Sequence, residues 1–398
     1  MNTDLQSLYP YPFERLAKLK EGITPPEYLQ HIPLSIGEPK HAPPEFVLQA
    51  LREHLDGLGT YPMAKGLVEL RLAITHWLVR RFRLNPERLD PERHVVPVSG
   101  TREGLFAFAQ AVVDRSTKPL VLMPNPFYQI YEGAAVLAGA QPYYMDTLQE
   151  NDFLPDLDAV PVAAWERCQL LYICTPGNPT GAIMDTRYLK RVLELADRYD
   201  FIVASDECYA EIFLDEANPP VSLLQAGEEI GRHDYRRCVV FHSLSKRSNL
   251  PGLRSGFAAG DAEILAKFLL YRTYHGCAVP VPVQWASICA WDDDRHVLDN
   301  RRVYQEKFAN SMEMLAPVLD VQRPPASFYL WPRTPIDDER FAQELFARQN
   351  VTVLPGSYLS RRSPKGDPGK NRVRISLVAP VKECAEAARR IREYVESL

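Results

Sequence analysis

Four short polar stretches stand directly after apolar runs: "SGTRE" at 99–103, "TPGNPTG" at 175–181, "SDECYAE" at 205–211 and "SLSKRSNLPGLR" at 243–254. The first offers small residues, a hydroxyl and backbone N–H groups at a strand-to-helix turn, an anion cradle suited to phosphate. Thr101 with Glu103 nearby equally fits a plain helix cap. Asp206 ends the apolar run "FIVAS", where a carboxylate calls for a cationic partner such as a protonated pyridine nitrogen, unless it caps the next helix. Tyr209, three residues on, can reach the same ligand or pack in the core. Lys246 follows the apolar run "CVVFH". Partial desolvation and a cationic neighbour would lower its pKa and leave an amine able to form a Schiff base and shuttle protons. Ser243 and Arg254 would add phosphate donors. A lysine in "SLSK" is otherwise a loop-edge residue.

Such groups need a scaffold that brings strand ends together. "HVVPVS" (94–99), "PLVLMP" (119–124), "AQPYYM" (140–145), "QLLYIC" (169–174), "FIVAS" (201–205), "CVVFHS" (238–243) and "GFAAG" (256–260) read as strands. Helical spacing fills 102–114, 128–139 and 186–200. The alternation predicts an α/β fold with a mostly parallel seven-stranded sheet, helices on both faces and ligands at the strand carboxyl ends. After about residue 280 the texture becomes α+β, with helices over 297–318, 337–349 and 382–398 and short strands at 327–332, 351–356 and 372–378. We therefore expect a large domain over 44–280 and a smaller one from 1–43, an N-terminal arm included, and 281–398. The Pro/Gly-rich segment 360–371 reads as an exposed loop.

Composition narrows the function classes. The chain has 398 residues, a formal net charge of −5 and no polybasic tract, which argues against nucleic acid or an anionic membrane as partner. The seven cysteines form no C-x-x-C pair and no zinc-finger spacing, so neither a disulfide framework nor a metal is expected. The N-terminus lacks a signal-peptide pattern and no apolar run approaches membrane-spanning length, so a cytoplasmic enzyme with a small-molecule ligand is expected.

Taken in order, "NPTG" at 178–181, "SDECYAEI", "SLSKRSNLPGLRSG" and the late "RVRIS" at 372–376 resemble the class I/II aminotransferases, pyridoxal 5′-phosphate enzymes of fold type I. The resemblance runs from "SIGEP" at 35–39 to Arg374. It implies that Lys246 holds the cofactor as an internal aldimine and then moves the substrate proton. Asp206 would keep the pyridine nitrogen protonated, Asn178 and Tyr209 would hydrogen-bond the ring oxygen, and Tyr128 would stack on the ring. Gly100, Thr101, Ser243 and Arg254 would grip the phosphate, with Ser245 beside them. Tyr61 matches a tyrosine that reaches the phosphate of the neighbouring subunit, which implies a homodimer, although "YP" there also fits a turn entering a helix. Arg374 and the Gly37 backbone would hold the substrate α-carboxylate, while Arg372 would point the other way and lie at the surface. "SIGEP" by itself is a generic turn.

The opening "LYPYPFERLAKL" and "NPFYQIYEGAA" are similar to the proteobacterial N-succinyldiaminopimelate aminotransferases of lysine biosynthesis. These pass an amino group from glutamate to N-succinyl-2-amino-6-oxopimelate, a long acceptor that needs cations beyond Arg374. Arg102, beside the cofactor, is the first candidate for the distal carboxylate, or else a solvent-exposed first-turn arginine; Arg272 and His275 are weaker ones. Other readings stay open: another amino-acid aminotransferase of this fold, or a pyridoxal-phosphate β-lyase. A DNA-binding regulator built on the fold is set aside, since only 34 residues precede "SIGEP".

Overall fold

A computed structural model describes all 398 residues. All seven expected strands form, and they make one sheet. From edge to edge its order is Val95–Val98, Gly256–Gly260, Cys238–Ser243, Ile202–Asp206, Cys168–Cys174, Leu120–Asn125 and Gln141–Asp146. Only Gly256–Gly260 runs antiparallel to its neighbours. Successive residues of each strand serve opposite faces. Leu122, Ile173, Val203 and Val240 join one helix-covered core, and Val121, Tyr172, Ala204 and Val239 join the other. Burial on both faces is why these strands are near-continuous apolar runs rather than alternating ones. The parallel strands end on one side, so residues 99–101, 174–178, 206 and 243–246 converge there.

The helices Thr101–Val112, Gln129–Leu137 and Thr186–Tyr199 match the expected stretches. Of four others, the short Glu45–Glu53 is amphipathic, whereas Val68–Phe82, Ala262–His275 and Val281–Asp292 carry little or no stripe that marks them out in sequence. The last bears on the expected domain boundary at 280. Its Ala286, Ala290 and Trp291 are buried in the same core as Ile74 and Trp77, so the large unit runs on to the start of the helix Arg295–Leu315.

The smaller unit is built on a three-stranded antiparallel sheet, ordered Leu354–Pro355, Val373–Ser376, Tyr329–Leu330. Helices Asp338–Gln349 and Val381–Glu396 contribute Phe341, Leu345, Ala387 and Ile391 to its core. The run 351–356 is not one strand. Val351–Thr352 pairs in parallel with Ile32–Pro33, tying the N-terminal segment to this unit, and Leu354–Pro355 turns to pair with Val373 and Arg374. The loop 360–371 is tied down more than its composition suggests: Ser360 is buried, Arg361 pairs with Glu132 at 2.6 Å, and the Arg361 N–H donates to Asn125 Oδ1 at 2.9 Å. No helix is long and apolar enough to cross a membrane.

Candidate active site

The strand ends open into a cavity of about 380 Å³ between the two units. Lys246 reaches it from a one-turn helix, Leu244–Arg247, entered straight from the Cys238–Ser243 strand; Ser243 Oγ caps the turn by accepting from the Ser245 N–H at 3.1 Å. The Lys246 ammonium donates to the Gly37 carbonyl and has no carboxylate partner. Burial pushes its pKa down to about 8, and Arg374 and Arg254 push the same way.

Asp206 is 4% exposed and has no cation in ion-pair range. Burial raises its pKa, opposed by hydrogen bonds from Cys208 N–H at 3.2 Å and Tyr131 O–H at 2.6 Å. Asp206 caps no helix, because the residues after it form turns; it accepts the Cys208 N–H within the first of them. Thr101 is not a cap: Gly100 occupies that position, and the Thr101 hydroxyl lies 3.0 Å from Cys208 Sγ. Gly100 has φ +79°, and a Cβ there would sit 2.1 Å from Arg254 Nη2, so only glycine lets this arginine lie across the helix N-terminus. Arg254 donates to the Pro251 carbonyl at 2.9 Å and to no carboxylate.

On the other wall, Arg374 donates to Asn178 Oδ1 at 3.0 Å and the Ser35 carbonyl at 2.7 Å, while its buried Nε has no acceptor. Tyr209 shares a 2.8 Å hydrogen bond with Tyr329, and burial pushes its phenol well above the ordinary value. Arg102, at the mouth, donates through Nε to Tyr128 Oη at 2.9 Å and through Nη2 to Tyr11 Oη at 2.7 Å.

The cavity thus gathers Lys246, Asp206, Tyr209, Thr101, Ser243 and Ser245. It also gathers Arg102, Tyr128, Asn178 and Arg254, with Gly37 and Arg374 opposite; Gly100 adjoins it through Arg254. Tyr61 is the exception, 99% exposed and away from this chain's cavity. Arg272 is corrected: fully buried, it pairs with Glu103 and donates to the Cys277 carbonyl, so it is fastened elsewhere, and exposed His275 does not line the cavity. Arg372 is not at the surface either; it is 7% exposed because Gln149 and Phe153 of the large unit cover that face of the sheet.

Sequence reasoning missed Tyr11, Phe13, Tyr329, Cys208 and Tyr131. The last two stand two residues after Asp206 and three after Tyr128, a spacing that was available as a signal.

These residues fit pyridoxal 5′-phosphate. An uncompensated buried carboxylate suits a protonated ring nitrogen, the glycine-lined helix start with Ser243 and Arg254 suits a phosphate dianion, and a lysine with lowered pKa suits an aldehyde. Comparison with known proteins agrees. The family model for "Aminotransferase class I and II" matches residues 30–391. An LL-diaminopimelate aminotransferase of Syntrophobacter fumaroxidans is 32% identical, covering 98% of this chain and 97% of its own. The structure of an aminotransferase from Neisseria meningitidis superposes with TM-score 0.94 at 48% identity, covering 99% of this chain and 100% of that one. A probable N-succinyldiaminopimelate aminotransferase from Thermus thermophilus gives TM-score 0.83 at 31% identity, covering 96% and 99%. The chain belongs to the class I and II aminotransferases, which work with pyridoxal 5′-phosphate.

Proposed function

We propose that this aminotransferase moves the amino group of glutamate onto the oxo carbon of N-succinyl-2-amino-6-oxopimelate, a step of lysine biosynthesis. The observation that carries this reading is a cavity lined by three arginines, Arg102, Arg254 and Arg374, none of which is paired with a carboxylate of the chain. Arg254 serves the cofactor phosphate, which leaves two for a substrate with carboxylates at both ends. Arg374 clamps the carboxylate next to the reacting carbon, and its vacant Nε supplies one donor of a bidentate pair. Arg102, steadied by two phenols, meets the carboxylate of the succinyl group, which LL-diaminopimelate lacks.

The cofactor, when bound, supplies the carbon that takes up the amino group and the ring that accepts the electron pair released at the α-carbon. Lys246 would hold it and, as a free amine, would carry the proton between the substrate α-carbon and the cofactor C4′ carbon. Asp206 holds a proton on the ring nitrogen, and its hydrogen bonds from Tyr131 and Cys208 aim it. Asn178 and Tyr209 bind the ring oxygen, and Tyr128 covers the ring face and sheds water. Tyr61 serves the second active site of a homodimer; its exposure beside exposed Leu55, Leu58 and Met63 supports an interface there.

A second reading, favoured by the name of the Syntrophobacter relative, takes unacylated LL-diaminopimelate as substrate. Purified holoenzyme assayed in reverse with 2-oxoglutarate decides. We expect kcat/KM for N-succinyl-LL-diaminopimelate to exceed that for LL-diaminopimelate by about tenfold or more, the effect of one charge-assisted contact. The opposite preference selects the second reading, and activity confined to short amino acids overturns both.

A further inference from the structure

We infer that a second cavity, in the cleft between the two units behind residues 178–182, binds a small zwitterion carrying a carboxylate and an ammonium group. At about 790 Å³ it is larger than the active cavity and shares no lining residue with it. Arg372 lies at its floor. The guanidinium donates to the Trp331 carbonyl at 2.9 Å and to Gln149 Oε1 at 2.7 Å, and it stacks over Phe153 at 5.1 Å. No carboxylate lies in ion-pair range of this 93%-buried side chain (7% exposed), although every other arginine buried in the frame of the protein has one. Beside it Trp331 is 6% exposed, and its indole N–H has no acceptor. A buried cation and a buried donor left unsatisfied are costly unless an anion completes them.

The rest of the lining is of mixed charge. It carries Asp152, Asp158, Asp185 and Asp320 beside Arg187, Arg191 and Arg323; Asp158 pairs with Arg191 at 3.5 Å and Asp185 caps the helix Thr186–Tyr199, which leaves Asp152 and Asp320 as the partners for an ammonium group. Leu154, Ile183 and Pro324 also line the cavity and offer apolar surface to a short methylene chain. A carboxylate inward on Arg372 and Trp331 with an ammonium outward satisfies both ends.

The site is also placed to affect catalysis. A small satellite cavity shares Phe153, Thr180 and Ala182 with it and shares Asn178 with the active cavity. Because the walls come from both units, an occupant favours one arrangement of them and bears on the loop that carries Asn178.

The test is isothermal titration of the holoenzyme with 4-aminobutyrate, 5-aminopentanoate and 6-aminohexanoate, which are not α-amino acids, beside pentanoate and pentylamine. We expect saturable binding of at least one aminocarboxylate, weakened about tenfold or more by Arg372→Met and a few-fold by Trp331→Phe, and unchanged by Arg374→Lys. Should Arg372→Met not fold, Trp331→Phe, which keeps the ring and removes only the donor, decides. Absence of saturable heat up to about 20 mM, binding that neither variant weakens, or binding lost in Arg374→Lys overturns the site. Pentanoate binding as tightly as 5-aminopentanoate overturns the zwitterion assignment.

Discussion

The arginines of the frame and the cations of the active cavity obey opposite rules. In the frame, Arg71 meets Glu92, Arg247 meets Asp294, Arg272 meets Glu103, and Arg301 meets Glu211 and Glu216. Each guanidinium is buried, and the chain supplies its counter-ion. In the cavity, Lys246, Arg254 and Arg374 find only neutral oxygens, among them the carbonyls of Gly37, Pro251 and Ser35. Neutral acceptors orient a cation without cancelling its charge, so the positive potential is kept for a phosphate or a carboxylate. A paired arginine fastens the fold, and an unpaired one waits for a ligand.

Removing a cavity cation should therefore abolish chemistry and leave the fold intact. The largest effect is expected at Lys246. Lys246→Met should cut turnover by at least about 10⁴-fold, since both anchor and proton carrier are lost. The same variant has a stability signature. Burial lowers the folded-state pKa from 10.5 to about 8, so between those values the unfolded chain holds a proton that the folded one lacks. Stability of the cofactor-free protein should then rise with pH across that window, by roughly 3 kcal/mol at most. Lys307, also lowered to about 8, contributes with the same sign, so the Lys246 part is the difference between wild-type and Lys246→Met denaturation curves. Parallel curves from pH 8 to 10.5 would mean that Lys246 is not held against its charge.

A matched pair of substitutions sharpens the contrast. Arg301→Met leaves Glu216 without its partner and Glu211 with Arg81 alone. It should lower the unfolding free energy by about 3 kcal/mol in urea while KM for glutamate holds. Arg374→Lys should do the reverse, raising KM about 100-fold through loss of bidentate geometry with little change in the urea midpoint. If both variants lose stability alike, the distinction between paired and unpaired arginines fails.

How far this was legible in the sequence follows from where each signal lies. The strands were readable because burial on both faces makes them apolar throughout, and the chemistry was readable because parallel strands deliver their carboxyl ends to one place. The helix Val281–Asp292 was not, because it is apolar on several sides and has no stripe to find. Tyr11 and Tyr329 meet their partners across 91 and 120 residues, beyond the reach of any local spacing rule. Arg372 defeated the alternation argument because a small sheet's outer face is exposed only if nothing covers it, and another unit does.

The smallest effect discriminates most finely. Arg102 resembles its cavity neighbours in meeting only neutral oxygens, yet it stands at the mouth, where solvent screens its charge. A helix N-terminus is an unfavourable place for a cation, so some compensation is required, and two phenols alone provide little. If a distal substrate carboxylate provides the rest, Arg102→Ala should raise KM for the succinylated substrate about tenfold and leave alanine turnover unchanged, with no loss of melting temperature. Equal losses for both substrates would mean that Arg102 only braces Tyr128 over the cofactor ring. Tyr11→Phe separates these roles, because it frees one guanidinium donor without touching Tyr128: a substrate-binding Arg102 tolerates it for alanine and loses precision only for the long acceptor.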